Sequence, residues 1–343
     1  MTNGCGRAWR PGASDERMPL FRCLYERKKS VLVAVGVYCI LHQLIYKHIW
    51  KGGVLDRART LSGFYNGAFL LPLFNHGNWS STSDIVVDRP LEESTNAEPL
   101  IAVGCAVTSR KLRDVSDVNI GAKFQFFHTF LPTFCRTGSP RYSYRFYVAF
   151  DASDRVFSDE RLRDAFRRQF EAATASGSCR SRGIVANLSL VECGHAGKPT
   201  WAQNDAMLEA YLDHVDYLYR VNDDTRMLTG GWTEKFISTL EAYDPPRVGV
   251  VGPKHSGGNV GILTYDFVHR THVDVFGFYY PRLFTDWWGD TWITRVYKPN
   301  RSTKISSVLL AHTLGLGRRY PVRWQVQQHL GDQLTQDVDV VNR

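Results

Sequence analysis

Short apolar runs alternate with segments of helical periodicity from residue 100 onward. The apolar runs predict strands over residues 100–108, 144–150, 183–191, 217–221, 247–252 and 308–311. The continuous apolar run at 100–108 is typical of a strand that is buried on both faces of a parallel sheet.

Amphipathic segments between these runs predict helices over residues 120–134, 158–176, 199–215 and 232–243. Leu162, Phe166 and Phe170, for example, recur at every fourth residue and would form one apolar stripe. The alternation of strand and helix predicts an α/β fold with a mostly parallel sheet flanked by helices. Ligands of such sheets bind at the carboxyl ends of the strands.

A polar triplet follows the run at 217–221, where Asn222, Asp223 and Asp224 end the apolar pattern abruptly. A buried strand that delivers adjacent carboxylates to the sheet edge presents hard oxygen ligands there, which suit a divalent cation and a phosphate. The alternative is an ordinary surface turn, because Asn and Asp are also favoured in turns for local reasons.

Aspartates at a strand end, then a Gly-rich stretch and a segment of acids and tryptophans, resemble the nucleotide-sugar glycosyltransferases of the GT-A type. The resemblance implies a GT-A-like fold in which an acidic triplet, the DxD motif, holds Mn²⁺ or Mg²⁺ against the donor diphosphate. Here Asn222 replaces the first acid, so Asp224 is the expected direct metal ligand, with Asn222 as a further residue of the metal site. His312, after the last apolar run, fits the histidine that many members place on the metal, although a plain core or surface histidine remains an alternative.

The resemblance also implies donor-binding residues at the ends of the first strands and in the acidic triplet. These are Thr108, Arg110, Asp151 and Asp223. Asp151 alternatively serves only as a turn residue. Arg270 is expected to bind the diphosphate, because a guanidinium binds phosphate oxygens in bidentate fashion.

Residues 264–297 form a second dense cluster of aromatic and acidic side chains. Trp287, Trp288 and Trp292 lie beside Asp286 and Asp290, whose spacing of four predicts a shared helix face. The resemblance implies that Asp290, or Asp286 as second choice, is the catalytic base and that the indole rings bind the acceptor sugar. The alternative is an aromatic helix that only packs in the core.

Composition limits the class of protein further. The chain has 343 residues, of which 43% are hydrophobic and 22% are charged, and this composition excludes wholesale disorder. Half of the net charge of +8 falls within residues 1–30. The rest of the chain is close to neutral, so nucleic acid is not an expected partner.

An uncharged run over residues 31–46 follows the basic cluster Arg27, Lys28 and Lys29. It predicts a single-pass, uncleaved signal anchor over residues 31–50, although a buried core helix is the alternative for so short a run. The predicted order is a cytoplasmic basic tail over 1–30, the anchor, a stem over 51–97, a lumenal GT-A-like domain over 98–325 and a polar tail over 326–343. The expected location is the Golgi or endoplasmic reticulum membrane.

Cysteines and glycosylation sequons fit a lumenal domain. Sequons begin at Asn78, Asn187 and Asn300, and four cysteines, Cys105, Cys135, Cys179 and Cys193, lie after the anchor. Four cysteines permit three disulfide connectivities. Among the possible pairs, Cys179 with Cys193 closes the shortest loop. Buried free thiols are the alternative.

The resemblance therefore implies a metal-assisted glycosyltransferase. It would move a sugar from a nucleotide diphosphate-sugar donor, a UDP-sugar by expectation, to a glycan or glycoprotein acceptor. Two alternatives stay open. One is a GT-A-shaped carbohydrate-binding or scaffold protein without turnover, which the replacement of an acid by Asn222 suggests. The other is a metal-dependent hydrolase that uses His269, His272 and nearby acids.

Overall fold

One sheet of eight strands organises the computed structural model, which describes residues 98–313, 319–320 and 322–342. In chain order the strands are β1 (Leu100–Ala106), β2 (Ser143–Asp151), β3 (Val185–Cys193), β4 (Tyr217–Arg220), β5 (Thr225–Met227), β6 (Val250–Ser256), β7 (Phe267–His269) and β8 (Ser302–His312). Their spatial order is β3-β2-β1-β4-β7-β6-β8-β5. Only β7 and β5 run against the other six, which confirms the predicted mostly parallel α/β sheet.

Helices cover both faces of this sheet. They are α1 (Ile120–Lys123), α2 (Leu131–Thr137), α3 (Glu160–Thr174), α4 (Gly177–Ser181), α5 (Pro199–Leu212), α6 (Trp232–Glu241), α7 (Thr271–Phe276), α8 (Gly289–Val296) and α9 (Leu330–Val341). Alternate β1 residues enter different apolar clusters: Ile101 packs with residues of α2, α3 and α6, whereas Ala102 packs with residues of α5, α8 and α9. Burial on both faces explains why the strand sequence is apolar without alternation.

The segment predicted as one helix over residues 120–134 is divided. A π-helix, Phe126–Phe130, separates α1 from α2, and Pro132 lies in the first turn of α2. Proline is tolerated there because the first turn of a helix leaves its N–H groups unpaired. The break lets Phe126, Phe127 and Phe130 all reach the core.

The residues after 325 were predicted to form a polar tail, and this prediction is corrected by the structure. They lie mostly in a 3₁₀ helix, Trp324–His329, followed by α9. Leu330 and Val341 are buried in the apolar cluster that contains α8 residues. Most polar residues of α9 lie on its exposed or partly exposed face, so composition alone concealed an amphipathic helix.

Among the residues that the structure describes, one disulfide joins Cys135 on α2 to Cys179 on α4, and Cys105 and Cys193 are buried free thiols. The shortest-loop pairing of Cys179 with Cys193 does not form. Cys179 precedes β3 and Cys193 ends it, and nine residues of extended strand span roughly 30 Å. Cα atoms more than about 7 Å apart cannot be bridged.

The predicted anchor and stem lie outside the described residues. Within the ranges that the structure covers, no helix is both long and apolar enough to cross a bilayer.

Candidate functional site

The acidic triplet forms the connection between β4 and β5, at the carboxyl end of the sheet. Strand β4 lies between β1 and β7, so the triplet emerges from the middle of the sheet. Asp223 is 2% exposed and Asp224 is 8% exposed. The alternative of an ordinary exposed turn is therefore wrong, and two carboxylates are buried side by side.

Asp224 is adjacent to His312 because β5 and β8 pair with Thr225 opposite His312. His312 Nε2 lies 3.3 Å from Asp224 Oδ1, and no described residue makes a hydrogen bond to that oxygen. Thr313 binds the Asp224 carbonyl through its N–H and its hydroxyl. Asp224 Oδ1 is buried and accepts no hydrogen bond, and an imidazole nitrogen lies beside it. These two atoms are ligands that fit Mn²⁺ or Mg²⁺.

Asn222 is turned toward neighbouring side chains. Its Oδ1 accepts from Arg220 Nη1 at 3.3 Å and from Gln203 Nε2 at 3.5 Å. Its amide oxygen is therefore already used within the protein, unlike that of Asp224.

A Gly-rich loop after β6 packs against the backbone of His312. Gly257 has a φ of +82°, and a Cβ built there would lie 3.2 Å from the His312 carbonyl oxygen. Only glycine adopts this conformation without cost and also permits so close an approach. The loop thus packs against His312 at the end of β8.

Asp223 is paired with Arg319, a residue that the sequence analysis did not single out. The Arg319 guanidinium donates to both carboxylate oxygens, with Nη1 to Oδ2 at 2.7 Å. Charge-assisted bidentate pairs are among the strongest hydrogen bonds in proteins. Arg319 lies 96 positions after Asp223, so no local pattern could have revealed the pair.

Arg220, the last residue of β4, is a buried cation beside the triplet. Its Nε donates to the Tyr280 hydroxyl at 2.7 Å and lies 3.4 Å from Asp266 Oδ2. The carboxylate of Asp266 in turn accepts from the hydroxyls of Tyr279 and Tyr280. This network had no signal in the sequence, because each member is separated from Arg220 by more than forty residues.

Asp290 borders the same network and has the properties expected of a base. Burial raises the pKa of its carboxyl above the usual range, and the positive charge of Arg220 opposes that shift. Its Oδ1 accepts from the backbone N–H of Thr291 at 2.8 Å. A partly exposed acid with a raised pKa, beside the buried cation Arg220, is a candidate for proton transfer.

The backbone that carries Asp290 is bent sharply. Trp288 has a φ of +81°, which is rare for a bulky residue, and it precedes the first residue of α8. A Cβ on Gly289 would lie only 3.0 Å from the Tyr280 ring. Gly289 therefore packs closely on Tyr280 at the start of α8, and Asp290 follows it in the first turn of the helix. Asp286 lies before the helix, so the two acids do not share a helix face as predicted.

Asp286 has both oxygens engaged with the backbone. Oδ1 accepts from Trp287 N at 2.7 Å and Oδ2 from Arg323 N at 2.9 Å. It joins the loop before α8 to the segment before the 3₁₀ helix, and this structural role favours Asp290 over Asp286 as the base.

The tryptophans divide between surface and core. Trp287 is 42% exposed and Trp324 is 52% exposed, with ring centroids 5.2 Å apart. Trp288 lies 6.2 Å from Trp324. Trp292, predicted to bind the acceptor, is fully buried and donates to Asp337 Oδ2 at 2.9 Å, so it packs α9 on α8 and is removed from the acceptor set. Trp324 lies within the predicted domain of residues 98–325, but no motif in the sequence singled it out.

The predicted donor residues Thr108, Arg110 and Asp151 meet beyond the ends of β1 and β2. Thr108 Oγ1 donates to Asp154 Oδ2 at 3.0 Å, and Asp151 Oδ2 accepts from Gly197 N at 2.9 Å. The Arg110 guanidinium lies 4.9 Å from the centroid of the Tyr320 ring. Tyr320 directly follows Arg319, so one chain segment connects this corner with Asp223.

Arg270 lies elsewhere, which corrects its predicted role at the diphosphate. Strand β7 is antiparallel to β4, and His269 pairs with Tyr217 at the start of β4. Arg270 follows at that opposite edge, where its guanidinium is 4.9 Å from the Tyr211 ring centroid.

The histidines proposed for a hydrolase do not form a metal site. His272 is buried, and its two ring nitrogens contact the Tyr297 hydroxyl and the Tyr279 carbonyl, each at 2.8 Å. Within the part of the chain that the structure describes, the one group of three or more potential ligands at metal-binding distances is Cys193, His195 and Asp205.

Comparison with known proteins gives little further information. No protein-family model matches the chain, and no curated protein matches it. Among solved structures, TarS of S. aureus matches with a TM-score of 0.41 and 11% sequence identity, over 69% of this chain and 39% of TarS. The chain thus spans about two fifths of the length of TarS.

Proposed function

We propose that this protein is a metal-assisted glycosyltransferase that moves a sugar from a nucleotide diphosphate-sugar, a UDP-sugar in the first instance, to a glycan or glycoprotein acceptor. The observation that carries the proposal is the buried pair Asp223 and Asp224 at the carboxyl end of β4, with His312 beside Asp224. Asp290, with its raised pKa, acts from the adjoining network.

Asp224 and His312 would hold the cation, through the Oδ1 oxygen that lacks a hydrogen-bond partner and through Nε2. The chemistry that Mn²⁺ or Mg²⁺ supplies there is neutralisation of the leaving diphosphate. Arg319 lies on the other acid of the pair, and its guanidinium can also bind phosphate oxygens. Thr108, Arg110 and Tyr320 border the corner proposed for the nucleoside.

Asp290 is the proposed base. It removes the proton of the acceptor hydroxyl as that oxygen bonds to the anomeric carbon, while the bond from that carbon to the diphosphate oxygen breaks. Burial keeps the pKa of Asp290 above its usual range, which makes it a better proton acceptor than an exposed carboxylate. The exposed rings of Trp287 and Trp324 offer apolar faces for the acceptor sugar.

A secretory-pathway location, in the Golgi or endoplasmic reticulum and anchored by residues 31–50, is part of the proposal. The disulfide between Cys135 and Cys179 supports it, because disulfides persist in oxidising compartments. The sequon residues Asn187 and Asn300 are both exposed.

A carbohydrate-binding protein without turnover is the second candidate, and Arg319 is the observation that favours it. Arg319 binds both oxygens of Asp223 and neutralises its charge. Asn222 carries no charge. Asp224 is therefore the one carboxylate of the triplet that is not paired with an arginine.

Turnover separates the two candidates. The full-length protein would be incubated with a panel of UDP- and GDP-sugars and a glycoprotein acceptor, first with Mn²⁺ and then with a chelator. The proposal predicts nucleotide release from one donor that the chelator abolishes. Binding of sugars by a folded protein with no release from any donor would instead establish the binding protein.

A further inference from the structure

Three potential metal ligands converge at a second place in the fold, outside the acidic triplet. They are Cys193 at the end of β3, His195 in the loop that follows, and Asp205 on α5. One ligand atom from each lies within 4.8 Å of the other two. His195 Nε2 is 2.9 Å from Asp205 Oδ2.

The environment of these atoms suits a bound cation. Cys193 is fully buried, whereas the side chains of His195 and Asp205 are 15% and 29% exposed. The centre is thus closed on the thiol side and open to water on the other. His195 Nδ1 is buried and has no hydrogen-bond partner among the described residues. The Trp201 ring packs edge-on to the imidazole, at 5.4 Å between centroids, and restricts its orientation.

We propose that Cys193, His195 and Asp205 bind a zinc ion through Sγ, Nε2 and a carboxylate oxygen, with water as the fourth ligand. Sulfur, nitrogen and oxygen ligands with one open position are a recognised zinc set, and a thiolate selects zinc over Mn²⁺ or Mg²⁺. Binding of the ion through Sγ would release the Cys193 thiol proton to solvent.

The ion would fasten the loop at residues 194–198 to α5. That loop supplies the Gly197 N–H that donates to Asp151. Gly197 also lies against the Arg110 guanidinium: a Cβ built on it would be 3.5 Å from Arg110 Nη2. The zinc site is therefore placed to hold one wall of the corner formed by Arg110 and Asp151, and it is distinct from the cation site at Asp224.

Metal content and cobalt spectroscopy test the proposal on the full-length protein. The protein, stripped with a chelator and reloaded with Zn²⁺, is expected to retain one equivalent after gel filtration in excess Mn²⁺. Reloading with Co²⁺ is expected to produce a thiolate-to-cobalt charge-transfer band. Cys193→Ser should lose both the equivalent and the band. Cys105→Ser, which alters the other buried free thiol, should keep both.

Cys193→Ser changes a fully buried residue and could fail to fold. His195→Gln and Asp205→Asn therefore provide a second test, because both positions are partly exposed. Each is expected to weaken zinc retention at least 10-fold with the melting transition intact. Retained zinc and an unchanged cobalt band in Cys193→Ser would overturn the proposal. So would wild-type protein that binds no zinc, in which case the three side chains form only a hydrogen-bonded trio.

Discussion

Replacing Gly257 by alanine tests whether the Gly-rich loop supports the proposed cation site at Asp224 and His312. An alanine at φ +82° enters the left-handed region, which costs about 1–2 kcal/mol of folding free energy. Its Cβ would also lie 3.2 Å from the His312 carbonyl oxygen, so that strand end must move by a few tenths of an ångström. His312 Nε2 is 3.3 Å from Asp224 Oδ1, and this geometry would change with it.

Gly277→Ala is the matched control. Gly277 has a φ of +74°, so alanine carries the same conformational cost, but no atom lies within 4 Å of its built Cβ. Gly277 follows the end of α7, at the edge of the sheet opposite to the one that carries Asp224 and His312. Both variants should therefore lose about 1–2 kcal/mol in denaturant unfolding.

Only Gly257→Ala should weaken Mn²⁺ binding, by roughly 10- to 100-fold, as expected when the support of a metal ligand is disturbed. Isothermal titration of Mn²⁺ into both variants and wild type measures the difference. Equal Mn²⁺ affinities in the two alanine variants would refute the argument that Gly257 positions His312.

Three further changes test other parts of the account. Asp290→Asn should reduce turnover by roughly 10²- to 10⁴-fold. The wild-type rate should rise with pH through a midpoint above the usual Asp value of about 3.9, whereas a rate that is independent of pH in the wild type would argue against a base there. Because a raised pKa makes the ionised carboxyl destabilising at neutral pH, Asp290→Asn should also melt higher at pH 7. Replacing Cys135 and Cys179 by serine should cost about 4 kcal/mol of unfolding free energy, given their separation of 44 residues; denaturant titration measures it, and a loss below about 1 kcal/mol would contradict the loop-entropy argument. Trp324→Ala should raise the acceptor KM roughly 3- to 10-fold at constant donor KM, and an unchanged acceptor KM would remove Trp324 from the site.

Much of the sheet is encoded locally and could be predicted. Strands β1 and β2 are buried along most of their length, so their apolar runs are visible without any knowledge of the fold. Strands β5 and β7 were missed because each has three residues. Such short strands exist only through pairing with β8 and β4, which no local pattern records.

The candidate site was predictable where it follows a strand end and unpredictable where it depends on distant partners. Asp224 and His312 could be identified from their positions after apolar runs. Arg319 and Trp324 could not, because each reaches its partner across a long stretch of chain: Arg319 binds Asp223, and Trp324 packs beside Trp287. Arg270 was misplaced because the antiparallel direction of β7, which sends it to the other edge, is set by tertiary pairing.

The most direct test of the central claim compares wild-type protein with Asp224→Asn in donor turnover with Mn²⁺. Asp332→Asn, on the exposed face of α9, is the control for loss of one carboxylate. The account predicts that Asp224→Asn folds normally and releases no nucleotide above background, while Asp332→Asn matches the wild type. Wild-type turnover by a folded Asp224→Asn variant would contradict it.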